Sequence, residues 1–426
     1  MKDSNLIRRH GLSSQKEIGR PSKLEANKIP ITDICALAIY ELINVVFVYK
    51  YTSRITLHPW ATSLLYLVMV NIFILLLFKK YEFRLSLKMQ NVIYFSTIAL
   101  LAILLSFLML HFDPQKIRVG RYPAMHDWIT RFVNSEFPYA SPIKPSGFPF
   151  LFVMAMPFYF LGDLGFFQIF SFLTFAVLVH LRHRQNKINR FRLIFLLITA
   201  PIFLYEIVVR SDLFSNMVMV MLYLAIFEIL GRKGKRIDLI ILGIAGGLLL
   251  STRGIVLLIY ITIFGYFLSA RGGSLPAGRR GAFGGRRKII KDGLFFISMF
   301  VGFLLTFVPF LIWDWRYFVK FGPFSIQLAH IPNWLLIVSM ASSIYCALTI
   351  KSLKRTYSSI SFILFGVAGL AFATMVFDCG WHKTLLGDGF DIGYFCFTLP
   401  FLLISLDFPE KEIPSSHSGV FISGQI

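Results

Sequence analysis

The sequence predicts an all-α membrane protein that crosses the bilayer about twelve times. Hydrophobic residues make up 56% of the 426 residues and charged residues only 15%, whereas about a quarter of an ordinary soluble domain is charged. At roughly 20 residues for each transmembrane helix, this apolar content is enough for about twelve spans. The mean hydropathy of +0.68 agrees. The composition therefore excludes a disordered, collagen-like or disulfide-stapled chain and disfavours a cytosolic enzyme.

A polar, basic tail at residues 1–30 comes first and has no apolar core, so it is not a cleavable signal peptide. Twelve apolar stretches follow, and each is predicted to be a membrane-spanning helix. They cover residues 31–49, 61–78, 91–112, 164–181, 193–209, 213–230, 238–252, 254–270, 293–313, 334–350, 358–377 and 390–407. Residues 31–407 thus form one predicted transmembrane domain, followed by a C-terminal tail at residues 408–426. Because the first stretch contains Asp33 and Glu41, the sequence leaves open whether residues 31–78 form two true spans.

One further apolar run, residues 148–162, is too short to span the bilayer and is interrupted by proline. We expect it to lie at the membrane interface, or to be re-entrant, on the side of the preceding loop. The predicted loop at residues 113–162 would then carry interfacial helices. Its centre, Ala124–Val133, has an amphipathic pattern that predicts a short helix with Trp128, Ile129, Phe132 and Val133 toward the membrane.

The positive charge indicates the orientation of the chain, because Lys and Arg accumulate in cytoplasmic loops. With twelve spans and a cytoplasmic N-terminus, 31 of the 43 Lys and Arg residues fall on the cytoplasmic side. We therefore expect both termini in the cytoplasm, in a bacterial inner or plasma membrane. The densest cluster, residues 271–291, is Gly-rich and predicts a flexible basic cytoplasmic loop near anionic lipid. The net charge of +21 is thus a topology signal, and we expect no nucleic-acid partner.

Four sequence segments resemble the GT-C superfamily of integral membrane glycosyltransferases, which use polyprenyl-phosphate sugars to transfer mannose, arabinose or glucose. The segments are SEFPYASPIKPSGFPFLFVMAMPFYFLGDLG at 135–165, VVRSD at 208–212, GIAGGLLLSTRG at 243–254 and WDWRYFVKFGPF at 313–324. The similarity covers roughly residues 90–330 and lies in the order of the segments. It implies a GT-C-like fold, a lipid-linked sugar donor and a lipid or glycan acceptor. Two features depart from the family. Asp127 stands alone where many members have paired acids, and two extra predicted spans precede the span that corresponds to the first span of the family.

Transfer of a sugar to a hydroxyl needs a carboxylate to accept the proton and cations to hold the leaving phosphate. Asp127 is the candidate base, with His126 beside it. The candidate substrate-binding residues are the remaining polar groups near predicted outer span ends: Arg121, Arg131, Tyr139, Lys144, Arg210, Asp212, Arg253, Arg316, Lys320 and His382. Each also has a structural interpretation, as a helix cap, a surface ion pair or a snorkelling side chain.

No cofactor is required by the sequence, and Mg²⁺ or Mn²⁺ would need carboxylates from distant loops to converge. Cys35, Cys346, Cys379 and Cys396 are too scattered for a zinc site or a disulfide framework. The expected partners are the lipid-linked donor, the acceptor and membrane lipids. Two other functions remain open: a polytopic transporter or flippase, and a polymerase or ligase of lipid-linked glycans. The scarcity of charges inside the spans disfavours the first, and short late outer loops disfavour the second.

Overall fold

A computed structural model describes residues 30–78, 86–117, 121–184, 186–231, 235–273, 282–328, 331–350, 352–387 and 389–406. Within these ranges the chain is helical and contains no strand. The first ten helices are α1 (Ile31–Thr52), α2 (Pro59–Phe78), α3 (Leu87–His111), α4 (Pro114–Ile117), α5 (Tyr122–Val133), α6 (Pro149–Phe160), α7 (Phe166–Arg182), α8 (Lys187–Ile198), α9 (Pro201–Val208) and α10 (Leu213–Gly231).

The second half continues with α11 (Arg236–Leu250), α12 (Val256–Gly273), α13 (Ala282–Phe321), α14 (Pro323–Leu328), α15 (Asn333–Thr349), α16 (Leu353–Cys379) and α17 (Leu399–Ser405). Short 3₁₀ turns lie at Pro138–Ala140 and Ile392–Phe397, and a π-helical turn lies at His382–Leu386. Helix α13 is broken at Asp314, where φ is −155° and ψ is 89°. This break falls where the sequence predicts the end of the span at residues 293–313.

The chain is a helical membrane protein, as the sequence predicts. Within the described residues, six helices are long and apolar enough to cross a bilayer: α1, α2, α3, α10, α13 and α16. The pair α8 and α9 makes a seventh if its 63° bend lies within one span. The predicted spans 164–181, 254–270, 334–350 and 390–407 coincide with shorter apolar helices, and 238–252 coincides with the 15-residue α11. The total of twelve therefore remains a prediction.

Helix α6 corresponds to the run that the sequence excludes from the spans. It has 12 residues, which at 1.5 Å per residue is about 18 Å, well short of a hydrocarbon core of about 30 Å. Phe152 and Ala155 on one side of α6 are buried, while Phe160 at its end is exposed. A helix of this length and pattern cannot cross the bilayer alone.

Much of the apolar face of α5 is covered by protein, which corrects the prediction for Trp128 and Ile129, whereas Phe132 is half-buried and Val133 is exposed. Trp128 and Ile129 are both fully buried. The Trp128 indole stacks on Phe152 of α6 with 4.4 Å between ring centroids. It also meets Phe310 of α13 at 5.6 Å. An amphipathic pattern indicates that one face is covered, but it does not distinguish lipid from aromatic side chains of other helices.

Helices α11 and α13 cross in close contact because glycines remove the side chains between them. A Cβ added to Gly247 would collide with the Met299 carbonyl oxygen, and one on Gly302 would collide with that of Ile244. One on Gly243 would lie 2.6 Å from the Phe295 carbonyl oxygen. These contacts fix the C-terminal end of α11, from which Arg253 follows after three residues.

The predicted basic loop at residues 271–291 is helical at both ends. Helix α12 extends to Gly273, and α13 begins at Ala282. Residues 274–281 and the predicted tails at 1–29 and 408–426 lie outside the described residues.

Candidate functional site

A pocket of about 250 Å³ lies where the loop before α6 meets the ends of several helices. It is lined by Arg121, Ala124, Met125, Ile143, Lys144, Pro145, Ser146, Gly147, Leu151, Phe152, Asp212, Arg253, Asp391 and Tyr394. This lining combines three cationic side chains with two carboxylates. The volume is smaller than the roughly 300–1,000 Å³ typical of pockets that enclose drug-sized ligands, so the pocket suits a polar head group.

Arg121 stands at the centre of the polar contacts in the pocket. Its Nη2 donates to Oδ2 of Asp391 at 2.9 Å, and its Nη1 donates to Oγ of Ser146 at 2.8 Å. The guanidinium carbon lies 4.7 Å from the ring centroid of Tyr394. Burial by itself lowers the pKa of Arg121, but its contacts with Tyr394 and with the carboxylates of Asp391 and Asp212 outweigh burial and raise it above its ordinary value. Arg121 is therefore a fixed positive charge.

Asp212 and Arg253 form the second ion pair of the pocket, and both side chains are almost fully buried. Arg253 Nε donates to Oδ2 of Asp212 at 3.0 Å, and Arg253 Nη2 donates to the same oxygen. Asp212 immediately precedes α10, whose N-terminal dipole also favours a negative charge. Because an unpaired buried charge is strongly destabilising, each of these two residues depends on the other.

The second oxygen of Asp212 faces Arg121 across a gap. Oδ1 of Asp212 lies 4.0 Å from Nε of Arg121, which is too long for a hydrogen bond. Both atoms are buried, and neither has a hydrogen-bond partner among the described residues. The pocket thus holds a hydrogen-bond donor and a hydrogen-bond acceptor that lie close together and have no partner among the described residues.

The wall formed by residues 143–147 is held in place by contacts to three other segments. Tyr139 is buried, and its hydroxyl donates to the Gly147 carbonyl at 3.1 Å. The amide of Phe148 donates to the Thr252 carbonyl at 3.0 Å. The side chain of Gln327 joins the Ser146 carbonyl to the amide of Gly254. Tyr139, predicted to bind substrate, therefore supports the wall from behind.

Two further residues position the acidic side of the pocket. Glu206 of α9 is buried, and its Oε2 accepts the amides of Leu213 and Phe214 at 3.2 and 3.4 Å. These are the first amides of α10, so Glu206 fixes the turn that carries Asp212. Lys50 donates to the carbonyls of Gly387 and Phe390, each at 3.2 Å, and so anchors the segment that carries Asp391.

Arg210 lies outside the pocket in a buried network of its own. Its guanidinium contacts both oxygens of Asp163, at 2.9 to 3.1 Å. It also donates to the carbonyls of Met109 and Phe112, each at 3.0 Å. Its φ of 51° is rare for a residue with a side chain. These contacts give Arg210 the structural role of tying α3 to the turn between α9 and α10.

Asp127 and Arg131 lie one turn apart on α5 and form an ion pair with each other. Arg131 Nε donates to Oδ2 of Asp127 at 2.9 Å, and its Nη1 donates to Glu136 at 3.2 Å. Both side chains are partly exposed, and neither lines the pocket. The candidate base is therefore not one of the two carboxylates that line the pocket.

His126 is half-buried among aromatic side chains beside this ion pair. Its ring lies 5.2 Å from that of Tyr159 and 5.5 Å from that of Tyr122. Burial lowers the pKa of His126, while the charges of Asp127 and Asp163 oppose the shift in part. The structure thus favours a neutral imidazole packed in the protein.

The other candidates divide clearly by position. Lys144 is exposed and lines the pocket. Arg316 packs against Trp315, and Lys320 against Phe321, on the exposed end of α13. His382 is exposed at the start of its π-helical turn. None of these last three lines the pocket, whereas Arg121, Lys144, Asp212 and Arg253 all do.

Sequence reasoning did not select Asp391, Tyr394 or Ser146. Asp391 is an acid at the predicted outer end of the last span, so its position carried a usable signal. Its Oδ1 accepts the Gly393 amide at 2.9 Å, a local turn that the DIG sequence permits. Ser146 and Tyr394 carry no such signal, because their importance depends on the side chain of Arg121.

Within the described residues, no group of three or more His, Cys, Asp or Glu side chains is arranged to hold a metal ion. The arrangement can instead place a negatively charged group beside guanidinium and ammonium groups, with carboxylates next to it. Compared with protein families, with characterised proteins and with solved structures, the chain matches none of them.

Proposed function

We propose that this protein is a membrane glycosyltransferase that moves a sugar from a polyprenyl-phosphate donor to a hydroxyl of a lipid or glycan acceptor. The observation that supports this function is the convergence of Arg121, Lys144 and Arg253 with Asp212 and Asp391 in one pocket. Cations stabilise the phosphate as it leaves the sugar, and a carboxylate accepts the proton of the attacking hydroxyl. The donor class comes from the resemblance of residues 90–330 to the GT-C superfamily.

In this proposal the three cations of the pocket have different roles. Arg121 and Arg253 are fixed by their carboxylate partners and set the local field. Lys144 is exposed and has a flexible ammonium group, so it is the cation that can follow a phosphate entering from the membrane surface. The base in this proposal is a carboxylate of the pocket, because Asp127 does not line it.

The test is a transfer assay with purified protein in liposomes. The donors are radiolabelled polyprenyl-phosphate mannose, arabinose and glucose, and octyl glycosides serve as acceptors. We expect one labelled sugar to appear on the acceptor. The variant Lys144→Gln should raise the KM for the donor about tenfold, equivalent to about 1.4 kcal/mol. Lys116→Gln is the matched control, since Lys116 is an exposed lysine of α4 outside the pocket.

Absence of transfer from all three donors would reject the proposed function. Movement of the lipid-linked sugar across the bilayer without transfer would identify a flippase instead. Addition of many sugars to one acceptor would identify a polymerase.

A further inference from the structure

The gap between Arg121 and Asp212 separates a buried donor from a buried acceptor. Nε of Arg121 and Oδ1 of Asp212 lie 4.0 Å apart, and both line the same pocket. The Asp212 side chain is only 1% exposed, yet this oxygen has no partner among the described residues. Buried polar atoms are normally satisfied. An unused donor and acceptor at this separation therefore indicate a ligand atom between them.

The hydrogen-bonding pattern restricts what that atom can be. An oxygen at an ordinary hydrogen-bond distance of about 2.8–2.9 Å from both atoms fits across a separation of 4.0 Å. It must accept the hydrogen of Nε and donate a hydrogen to Oδ1. The hydroxyl group of an alcohol does both, as does the water molecule that it would displace. An ionised phosphate oxygen or a carbonyl oxygen has no hydrogen to donate, so neither can satisfy Asp212.

We propose that the gap binds the acceptor hydroxyl and that Asp212 is the base that receives its proton. This inference rests on the proposed glycosyltransferase function. The acceptor oxygen forms a bond to the anomeric carbon, and the bond from that carbon to the phosphate oxygen breaks. The phosphate leaves with the bonding electron pair as polyprenyl phosphate. The hydroxyl proton passes to Oδ1 of Asp212 and is later released to water.

The other carboxylate of the pocket is engaged elsewhere. Oδ1 of Asp391 accepts the Gly393 amide, and Oδ2 accepts Nη2 of Arg121, each at 2.9 Å. Its side chain is 50% exposed, so water competes for it. Asp391 and Ser146 together hold the guanidinium of Arg121, which leaves Nε to face the gap. Asp391 is therefore a positioning residue in this arrangement.

The experiment compares wild type with five variants in the liposome assay, Asp391→Asn among them, and donor binding is measured separately by equilibrium dialysis of radiolabelled polyprenyl-phosphate sugar. Asp212→Asn keeps an oxygen for Arg253 but removes the base, and should lower kcat at least about 100-fold with donor affinity within twofold of wild type. Asp212→Glu keeps a carboxylate and should restore part of kcat. Arg121→Lys keeps the charge but loses Nε, and should raise the acceptor KM more than the donor Kd. Glu136→Gln, an exposed acid outside the pocket, is the control.

Two results would overturn the assignment of Asp212 while the proposed function stands. One is transfer by Asp212→Asn at near wild-type kcat. The other is a loss of kcat in Asp391→Asn that equals or exceeds the loss in Asp212→Asn. Donor binding and thermal stability of each variant separate loss of chemistry from loss of folding. Absence of transfer by the wild-type protein would instead reject the proposed function itself.

Discussion

At the scale of single residues, the buried arginines Arg253 and Arg210 have different surroundings. Arg253 lines the pocket and pairs with Asp212, whereas Arg210 is enclosed by Asp163 and main-chain carbonyls. Removal of one partner from a buried ion pair is strongly destabilising because the other charge stays buried and unpaired. Exposed ion pairs contribute little. Loss of an arginine from a buried ion pair should therefore lower the free energy of unfolding much more than loss of an arginine from an exposed pair.

We expect Arg210→Gln to lower the free energy of unfolding by about 3–5 kcal/mol, because Asp163 would lose its partner. Arg131→Gln removes an equivalent group from a partly exposed pair on α5 and should cost no more than about 1 kcal/mol. Thermal unfolding in detergent, followed by intrinsic fluorescence, measures both variants. Equal shifts in Tm would show that the Arg210 network is not buried as described.

His126 gives a second prediction at this scale, on pH dependence. Burial lowers its pKa in the folded protein below the value of about 6.5 expected in the unfolded chain. Below pH 6.5 the unfolded state therefore binds more protons, and stability falls as the pH decreases toward the folded-state pKa. Tyr122, Tyr159, Asp127 and Asp163 surround the ring.

Comparison of His126→Gln with wild type between pH 8 and pH 5 isolates this contribution. The difference in Tm should be constant above pH 7 and should shift in favour of the variant as the pH falls below 6.5. A difference that stays constant over the whole range would exclude a lowered pKa for His126.

The sequence predicted several of the charged residues that line the pocket, but it did not predict which of them form ion pairs. Arg121, Asp212 and Arg253 are charged residues beside apolar stretches. Because a charge is energetically unfavourable near a membrane span, such residues can be identified as candidates from the sequence alone. Their pairing depends on helix positions set by tertiary packing. The partner of Arg210 is Asp163, 47 positions away, and not the neighbouring Asp212. Asp127 has the right chemistry for a base, but it pairs with Arg131 and does not line the pocket.

At the scale of elements, the crossing of α11 and α13 depends on residues without side chains. Gly243 and Gly247 of α11 lie against the main chain of α13, and Gly302 of α13 lies against Ile244. Helix period and hydrophobicity locate such helices in the sequence. They do not reveal which helix a glycine will contact, so the sequence predicts α11 only as a short span.

We expect Gly247→Ala to destabilise the protein by about 1–3 kcal/mol, since its Cβ would meet the Met299 carbonyl oxygen. The control is Gly369→Ala on α16, where an added Cβ has nothing within 4 Å. That change should be neutral or stabilising by up to about 1 kcal/mol, because alanine favours the helix. Thermal unfolding distinguishes the two, and a destabilisation of equal size in both variants would contradict the close crossing.

At the scale of the whole molecule, the pocket constrains how the chain crosses the membrane. Arg121, Asp212, Arg253 and Asp391 meet at one place, so the chain must cross the bilayer an even number of times between each pair. The twelve predicted spans meet this condition: two lie between residues 121 and 212, two between 212 and 253, and four between 253 and 391. Counting α6 as a full span would make the first number odd.

The side of the membrane and the role of α6 can be tested together with two cysteines in a variant that lacks the four native ones. Glu136→Cys lies before α6, and Arg184→Cys lies after α7; both positions are exposed. With α7 as the only crossing between them, an impermeant thiol reagent should label Glu136→Cys in intact cells and Arg184→Cys only after permeabilisation. The opposite pattern would place the N-terminus outside and reverse the charge assignment. Labelling of both positions from the same side would show that α6 and α7 each cross the bilayer. In that case Arg121 and Asp212 would be separated by the membrane, and the pocket they share could not form.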